Sequence, residues 1–193
     1  LAWAGQLHAG QRRVREPYVN HLLRVAIRIL CYYRVTDARV LAAALLHDSV
    51  EDQPWAMVDL PAETGPPPRQ QAVAALTERF GAHVAELVVA VTNPHDDPAG
   101  DRDAQYLRHL RVTVGARPWA RVLKLSDFTD NGVGIIHTVG PKLHRGARKY
   151  HPAVPVLQAL LDLPDTPLQP DVKQHITRQL HLADSRFAAI LAA

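Results

Sequence analysis

The chain has 193 residues, 47% of them hydrophobic, with a net charge of +3 and a single cysteine, Cys31. That length and apolar content suit one domain over 1–193 with a core of its own, and a lone cysteine excludes a disulfide framework and fits the reducing cytoplasm. The mild positive charge suits an anionic small molecule and does not by itself argue for nucleic acid, and no apolar run approaches the roughly 20 residues of a membrane span, so neither a nucleic acid nor a membrane is expected as partner.

Only 6% of residues are aromatic and no stretch alternates as a strand does, so the periodic segments read as helices and the fold class as a compact all-α bundle. Residues 1–9 form a first helix that opens at Leu1 without Met and so reads as truncated; Gly10 ends it. A basic loop, 11–16, follows, and Pro17 suits the first turn of a helix over 17–33. Thr36 is the expected cap of a helix over 37–49. Pro54, Pro61, Pro66, Pro67 and Pro68 make 53–68 a loop, either a lid or an insertion. Helices are expected at 69–80 and 82–92, split by Gly81, then after a loop at 94–102 at 103–114, 118–131, 142–150, 153–162 and 171–192. The stretch 165–193 reads as a C-terminal helical extension, and no internal repeat or domain linker is visible.

Four residues stand out against this apolar background. His21 shares a helical face with Tyr18, Leu22, Val25 and Ile29, which turns it inward. His47-Asp48 ends the run Leu41 to Leu46, on the same face as Leu41, Ala44 and Leu45. Asp127 lies in Val122-Leu123-Lys124-Leu125-Ser126-Asp127. A buried carboxylate is costly unless it is paired, protonated or metal-bound. Two imidazoles with two carboxylates make a mixed N/O set suited to Mn, Fe, Co or Zn. Glu51 and Asp52 follow His47 and Asp48 by four residues, so a continuing helix stacks them one turn on, where they can take a proton from water. Lys124 and Asn131 flank Asp127 at helical spacing. Arg12, Arg13, Lys124, Lys142 and Arg145 can offset substrate charge, whereas Arg148 and Lys149 read as a solvated face. A second His-Asp pair, His95-Asp96, sits in a polar, proline-flanked loop and reads as solvated.

These segments resemble the HD-domain metal-dependent phosphohydrolases, and more narrowly the hydrolase domain of the RelA/SpoT alarmone proteins and the Mesh1-type small alarmone hydrolases. The text that carries the likeness is His8-Ala9-Gly10-Gln11-Arg12-Arg13, Glu16-Pro17-Tyr18-Val19-Asn20-His21, the stretch Ala43 to Asp52 with its HDxxED pattern, and Leu123 to Asp127 with Asn131, within roughly residues 2–160. The resemblance implies a helical HD-domain bundle holding Mn2+, or another first-row divalent ion, on His21, His47, Asp48 and Asp127. It implies that Glu51 and Asp52 handle the attacking water, that Arg12 and Arg13 contact a guanine base, and that Asn131 contacts the nucleotide. Arg145 and Tyr150 lie near where small family members place substrate-contacting Arg and Tyr. The implied reaction removes the 3′-pyrophosphate from guanosine tetra- or pentaphosphate, a small-molecule nucleotide, in the cytoplasm; self-association into a homo-oligomer is open.

Several positions depart from the family text. Arg15 stands where the family usually has Gly, Leu22 replaces a Pro, and Phe128-Thr129-Asp130-Asn131 and Gly132 to Gly134 replace an Arg-x-His-Asn and a Met/Arg/Thr-like run. Two alternatives therefore stand beside the alarmone reading: an HD phosphohydrolase of another nucleotide (NADPH, an adenine alarmone or a nucleoside phosphate), and a nucleotide sensor without turnover, which would not need Glu51 and Asp52.

Overall fold

The basic loop ahead of the second helix folds back on itself. Arg13 N donates to Glu16 O at 2.9 Å and Tyr18 N to Gln11 O at 3.0 Å, and Arg24 clamps Glu16 through two bonds of 2.8 and 2.7 Å. The computed structural model describes residues 1–61, 65–94 and 100–193, and among these the regular structure is helical, with one isolated bridge between Arg12 and Pro17. The described residues form two compact units, Leu1–Asn93 and Pro94–Ala193.

In the first unit, α1 (Ala2–Leu7) leads through the loop to α2 (Val19–Ile27). Pro17 belongs to the loop bridge rather than to the helix. The helix expected over 17–33 does not stay α-helical to its end: it widens into a π turn, Arg28–Tyr32, closed by Tyr33 N donating to Arg28 O at 2.9 Å. That turn keeps Ile29 and Tyr33 in the core.

Helix α3 (Ala38–Leu46) is capped by Asp37 and not by Thr36; the Asp37 carboxylate accepts from Arg39 N at 2.8 Å while its own backbone is extended. The helix expected through residue 49 stops at Leu46. His47 Nδ1 bonds Ala44 O at 2.8 Å, the acceptor that the Asp48 amide would use in a continuous helix. His47-Asp48 is therefore a turn, and the one-turn helix α4 (Ser49–Asp52) starts anew.

The expected loop over 53–68 carries a 3₁₀ turn, Ala56–Val58, that buries Met57; its residues 62–64 lie outside the described residues. Helices α5 (Arg69–Phe80) and α6 (Ala82–Val91) join at Gly81, whose φ of +84° suits glycine. Helix α3 packs on α2 and α6, and α5 on α6. Val25, Val40, Ala43, Ala44, Leu76 and Val88 are fully buried among them.

The second unit starts with α7 (Arg102–His109), capped by Asp101, and continues through a π turn, Leu110–Val114. The pair His95-Asp96 lies outside the described residues. Helix α8 (Pro118–Val133) is buried continuously from Ala120 to Asp130, so it is a central helix covered on all sides. Around it stand α9 (Pro141–Tyr150), α10 (Ala153–Asp162) and α11 (Pro170–Ala192). The stretch expected as a C-terminal extension is thus α11, which packs along α8, α9 and α10. Gly132 permits this approach: a Cβ there would lie 3.1 Å from Ala183 Cβ and 3.2 Å from the Phe128 and Phe187 rings.

Candidate metal centre

Three side chains of the first unit converge. His21 is presented by the buried face of α2, and His47 and Asp48 by the turn between α3 and α4. One ligand atom from each lies within 4.8 Å of the other two. The two imidazoles are almost fully buried, at 1% and 2% exposure, while the Asp48 side chain keeps 20%. His47 Nδ1 faces a carbonyl, which can only accept, so Nδ1 carries the hydrogen and Nε2 presents a lone pair. That Nε2 stands 3.1 Å from Asp48 Oδ2, and His21 Nε2 stands 3.5 Å from the same oxygen. A lone pair against a carboxylate is repulsive, and a divalent cation between them turns the repulsion into coordination. Two imidazoles and a carboxylate also fit the donor preferences of first-row divalent ions. The residues present fit such a metal.

Tyr18 completes the surround. Its hydroxyl donates to Asp48 Oδ2 at 2.6 Å, and its ring meets His21 edge-on at 5.6 Å. Burial, and then the charges of Asp48 and Asp52, push the phenol pKa far up, so Tyr18 stays a proton-bearing donor.

The two expected catalytic carboxylates have different partners. Glu51 is half-buried, and Asn93 bonds both its oxygens, with Asn93 N at 2.9 Å and Nδ2 at 3.1 Å. Asp52 is exposed and accepts from Gln11 Nε2 at 2.7 Å. Although solvent reaches it, the protein packed around its carboxyl removes part of its hydration, and this, with the nearby Asp48 charge, raises its pKa, against the Gln11 bond, which lowers it. Gln11 Oε1 in turn meets His8 Nδ1 at 2.5 Å and Gln53 Nε2 at 3.0 Å. His8 is 1% exposed and stacks on Tyr18 at 5.0 Å; burial lowers its pKa and keeps it neutral.

The expected base-contacting arginines divide. Arg12 is exposed, whereas Arg13 lies over the Tyr18 ring at 5.8 Å. Of the residues in the second unit, Lys124, Asp127 and Asn131 form one row on α8: Lys124 Nζ is 3.0 Å from Asp127 Oδ2, and Asn131 Nδ2 donates to Asp127 Oδ1 at 2.7 Å. Tyr150 meets Tyr106 edge-on at 6.1 Å, and Arg145 is exposed. Lys149 is not on a solvated face: its ammonium lies 4.8 Å from the Tyr106 ring and 5.3 Å from that of Tyr150.

Sequence reasoning assigned no role to Tyr18, His8, Gln11, Gln53 or Asn93. A signal existed for Tyr18, three residues before His21 on one face, and for His8 and Gln11, also three apart. Asn93 carries none, since it is 42 residues from Glu51.

Comparison with known proteins places this geometry in a family. Residues 1–113 match the HD domain family. The chain is 33% identical over 129 residues to the guanosine-3′,5′-bis(diphosphate) 3′-pyrophosphohydrolase MESH1 of Danio rerio, covering 65% of this chain and 61% of that one. It is 31% identical over 134 residues to the Drosophila melanogaster MESH1, covering 68% and 64%. The guanosine-3′,5′-bis(diphosphate) 3′-pyrophosphohydrolase of Aquifex aeolicus is 32% identical over 130 residues, which are 67% of this chain and 16% of that protein. The matched region thus spans about three fifths of the MESH1 relatives' length. A solved structure described as a metazoan ortholog of SpoT that hydrolyzes ppGpp aligns with a TM-score of 0.63 at 24% identity, over 94% of this chain and 93% of that one, and carries the all-helical fold. No helix among the described residues is long and apolar enough to cross a membrane.

Proposed function

This chain belongs to the HD domain family, and from that premise we propose that it is a metal-dependent phosphohydrolase acting in the cytoplasm. Its substrate in this reading is guanosine tetra- or pentaphosphate, from which it releases the 3′-pyrophosphate. The observation that carries the reading is the convergence of His21, His47 and Asp48 on one point, in a chain whose MESH1 relatives are named for this reaction. Mn2+ is the proposed ion. Asp127, in the second unit, is the proposed fourth ligand on the strength of its sequence context.

The bound cation would supply Lewis-acid chemistry, making water a better nucleophile at neutral pH and offsetting charge on phosphoryl oxygens. The chain's own residues supply the rest. Glu51 and Asp52 stand on α4, directly after the His47-Asp48 turn, and this pair supplies the carboxylate that takes the proton of water as its oxygen bonds to phosphorus. The bond from phosphorus to the ribose 3′ oxygen breaks, and that oxygen takes up a proton. Lys124, Arg12, Arg13 and Arg145 offset substrate charge. Asn131 and Tyr150 are the proposed nucleotide contacts, and the guanidinium of Arg12 suits stacking on a purine with pairing to its acceptor edge.

Arg15, exposed in the loop that carries Arg12 and Arg13, favours one second reading, a hydrolase of an adenine nucleotide or NADPH, because it adds bulk and charge beside the proposed base contact. Purified protein with Mn2+ is expected to show a higher kcat/KM for ppGpp than for ppApp, NADPH or nucleoside phosphates. A preference of more than ~10-fold for NADPH or a simple nucleoside phosphate would overturn the alarmone reading.

A further inference from the structure

Resting on the hydrolase reading, we infer that Gln11 is a positioning residue that holds Asp52 in place, and that Asp52, rather than Glu51, is the carboxylate that takes the proton of water. The argument starts at Asp52. An ionised carboxylate only accepts hydrogen bonds, so the Gln11 atom 2.7 Å away is the amide nitrogen. The Gln11 amide oxygen then faces His8 Nδ1 at 2.5 Å and Gln53 Nε2 at 3.0 Å, and both must donate to it. A reversed amide would set oxygen against carboxylate at one end and nitrogen against two donors at the other. The side chain has one satisfactory orientation.

His8 is held as firmly. It is 1% exposed and stacked on Tyr18, with ring planes 15° apart. Its Nε2 is buried without a hydrogen-bond partner, so protonation would bury an N–H with nothing to accept it, and the neutral tautomer bearing hydrogen on Nδ1 is the one that fits. A directed line of donors runs from His8 through Gln11 to Asp52. Tyr18, the ring on which His8 stacks, donates to Asp48 at 2.6 Å, so one stacked pair supports both a metal-site carboxylate and the water-handling one.

Glu51 is placed for a different task. Its two oxygens are engaged by the backbone N and side-chain amide of Asn93, which ties α4 to the end of α6. Asp52 is exposed, and Gln11 is its side-chain donor among the described residues; that bond occupies Oδ2 and leaves Oδ1 to accept from water.

The test is a double-mutant cycle in the full chain with Mn2+. Gln11→Met keeps length and removes the amide. It is expected to lower kcat by ~10- to 10²-fold through misalignment, with KM and metal content unchanged. In an Asp52→Asn background the same change should cost less than ~2-fold, because its target is gone, whereas in a Glu51→Gln background it should cost as much as in wild type. A spectroscopic arm needs no turnover. The Gln11 side-chain amide proton should resonate downfield in wild type and return to an ordinary position in Asp52→Ala. Equal losses in the wild-type and Asp52→Asn backgrounds, or an unshifted Gln11 amide in an active wild type, overturn the positioning role alone. A wild type that turns over no nucleotide overturns the hydrolase reading, and with it the catalytic use of Asp52.

Discussion

Two carboxylates set in apolar surroundings, Asp48 in the first unit and Asp127 in the second, are neutralised in different ways. Asp48 accepts from a phenol and faces the Nε2 atoms of two buried imidazoles at 3.1 and 3.5 Å. Asp127 faces an ammonium at 3.0 Å and accepts from an amide at 2.7 Å, both from its own helix. The first arrangement gathers lone pairs around a point, and a cation completes it. The second has an ammonium, Lys124, beside it on its own helix, and as the proposed fourth ligand Asp127 would share its charge between that ammonium and the divalent ion. Local sequence shows an inward Asp in both cases; what differs is whether the countercharge is built into the chain.

Paired substitutions can break that comparison. Asp48→Ala should abolish tight binding of the divalent ion and lower turnover by ~10³-fold, since a metal supplies several kcal/mol of transition-state stabilisation. Lys124→Met should leave the divalent ion bound at His21, His47 and Asp48 and destabilise the metal-free fold by about 3–5 kcal/mol, the cost of taking the ammonium away from a buried carboxylate, and by less with the ion bound. Metal analysis and denaturant unfolding of both variants check this; a metal-free Lys124→Met protein as stable as metal-free wild type would refute Lys124 as a countercharge of Asp127.

A smaller change sharpens the first half. Tyr18→Phe removes only the hydroxyl that orients Asp48, and metal affinity is expected to weaken ~10- to 100-fold, as for other outer-shell partners. Competition with a chelator measures it, and unchanged affinity would reduce Tyr18 to packing.

The smallest expected effect lies at the far end of α3. Arg39 holds the Asp37 carboxyl at about 2, well below its ordinary 3.8, first through its side chain and then through its backbone amide. The folded-state value is depressed, so this contribution to stability is complete above the unfolded value and is lost as pH falls from about 4 towards 2. Asp37→Ala should therefore be slightly less stable than wild type at pH 7, and the gap should shrink as pH falls from about 4 through about 2, with metal content unchanged. Thermal melts across that range decide it; a gap that persists at low pH would place the effect elsewhere than in the ionised cap.

Much of this was legible in the chain because helical period is local. His21 falls on the face of Val25 and Ile29, and the row Lys124, Asp127, Asn131 follows from spacing alone. The break after Leu46 was not legible: it depends on His47 turning its Nδ1 onto Ala44 O instead of continuing the helix. The exact cap was missed by one residue, since Thr36 and Asp37 are both good caps and only backbone geometry selects between them. Lys149 read as solvated because one of its two rings, Tyr106 on α7, is far away in sequence, and only the fold brings it beside the neighbouring Tyr150.

The amino-acid order by itself determined which segments are helices, that three metal-type donors of the first unit face inward, and that an acidic pair follows them, because each of these depends on residues within one or two turns of one another. Only the tertiary structure decided which partners each acidic residue takes. Glu51 and Asp52 are neighbours of similar chemistry, and their sequence positions rank neither above the other. Asn93, 42 residues from Glu51, and Gln11, 41 residues from Asp52, separate them into a clamp and an oriented acceptor. A hydrogen bond is set by distance and direction in space, and folding brings those partners together across helices whose relative placement no local pattern encodes.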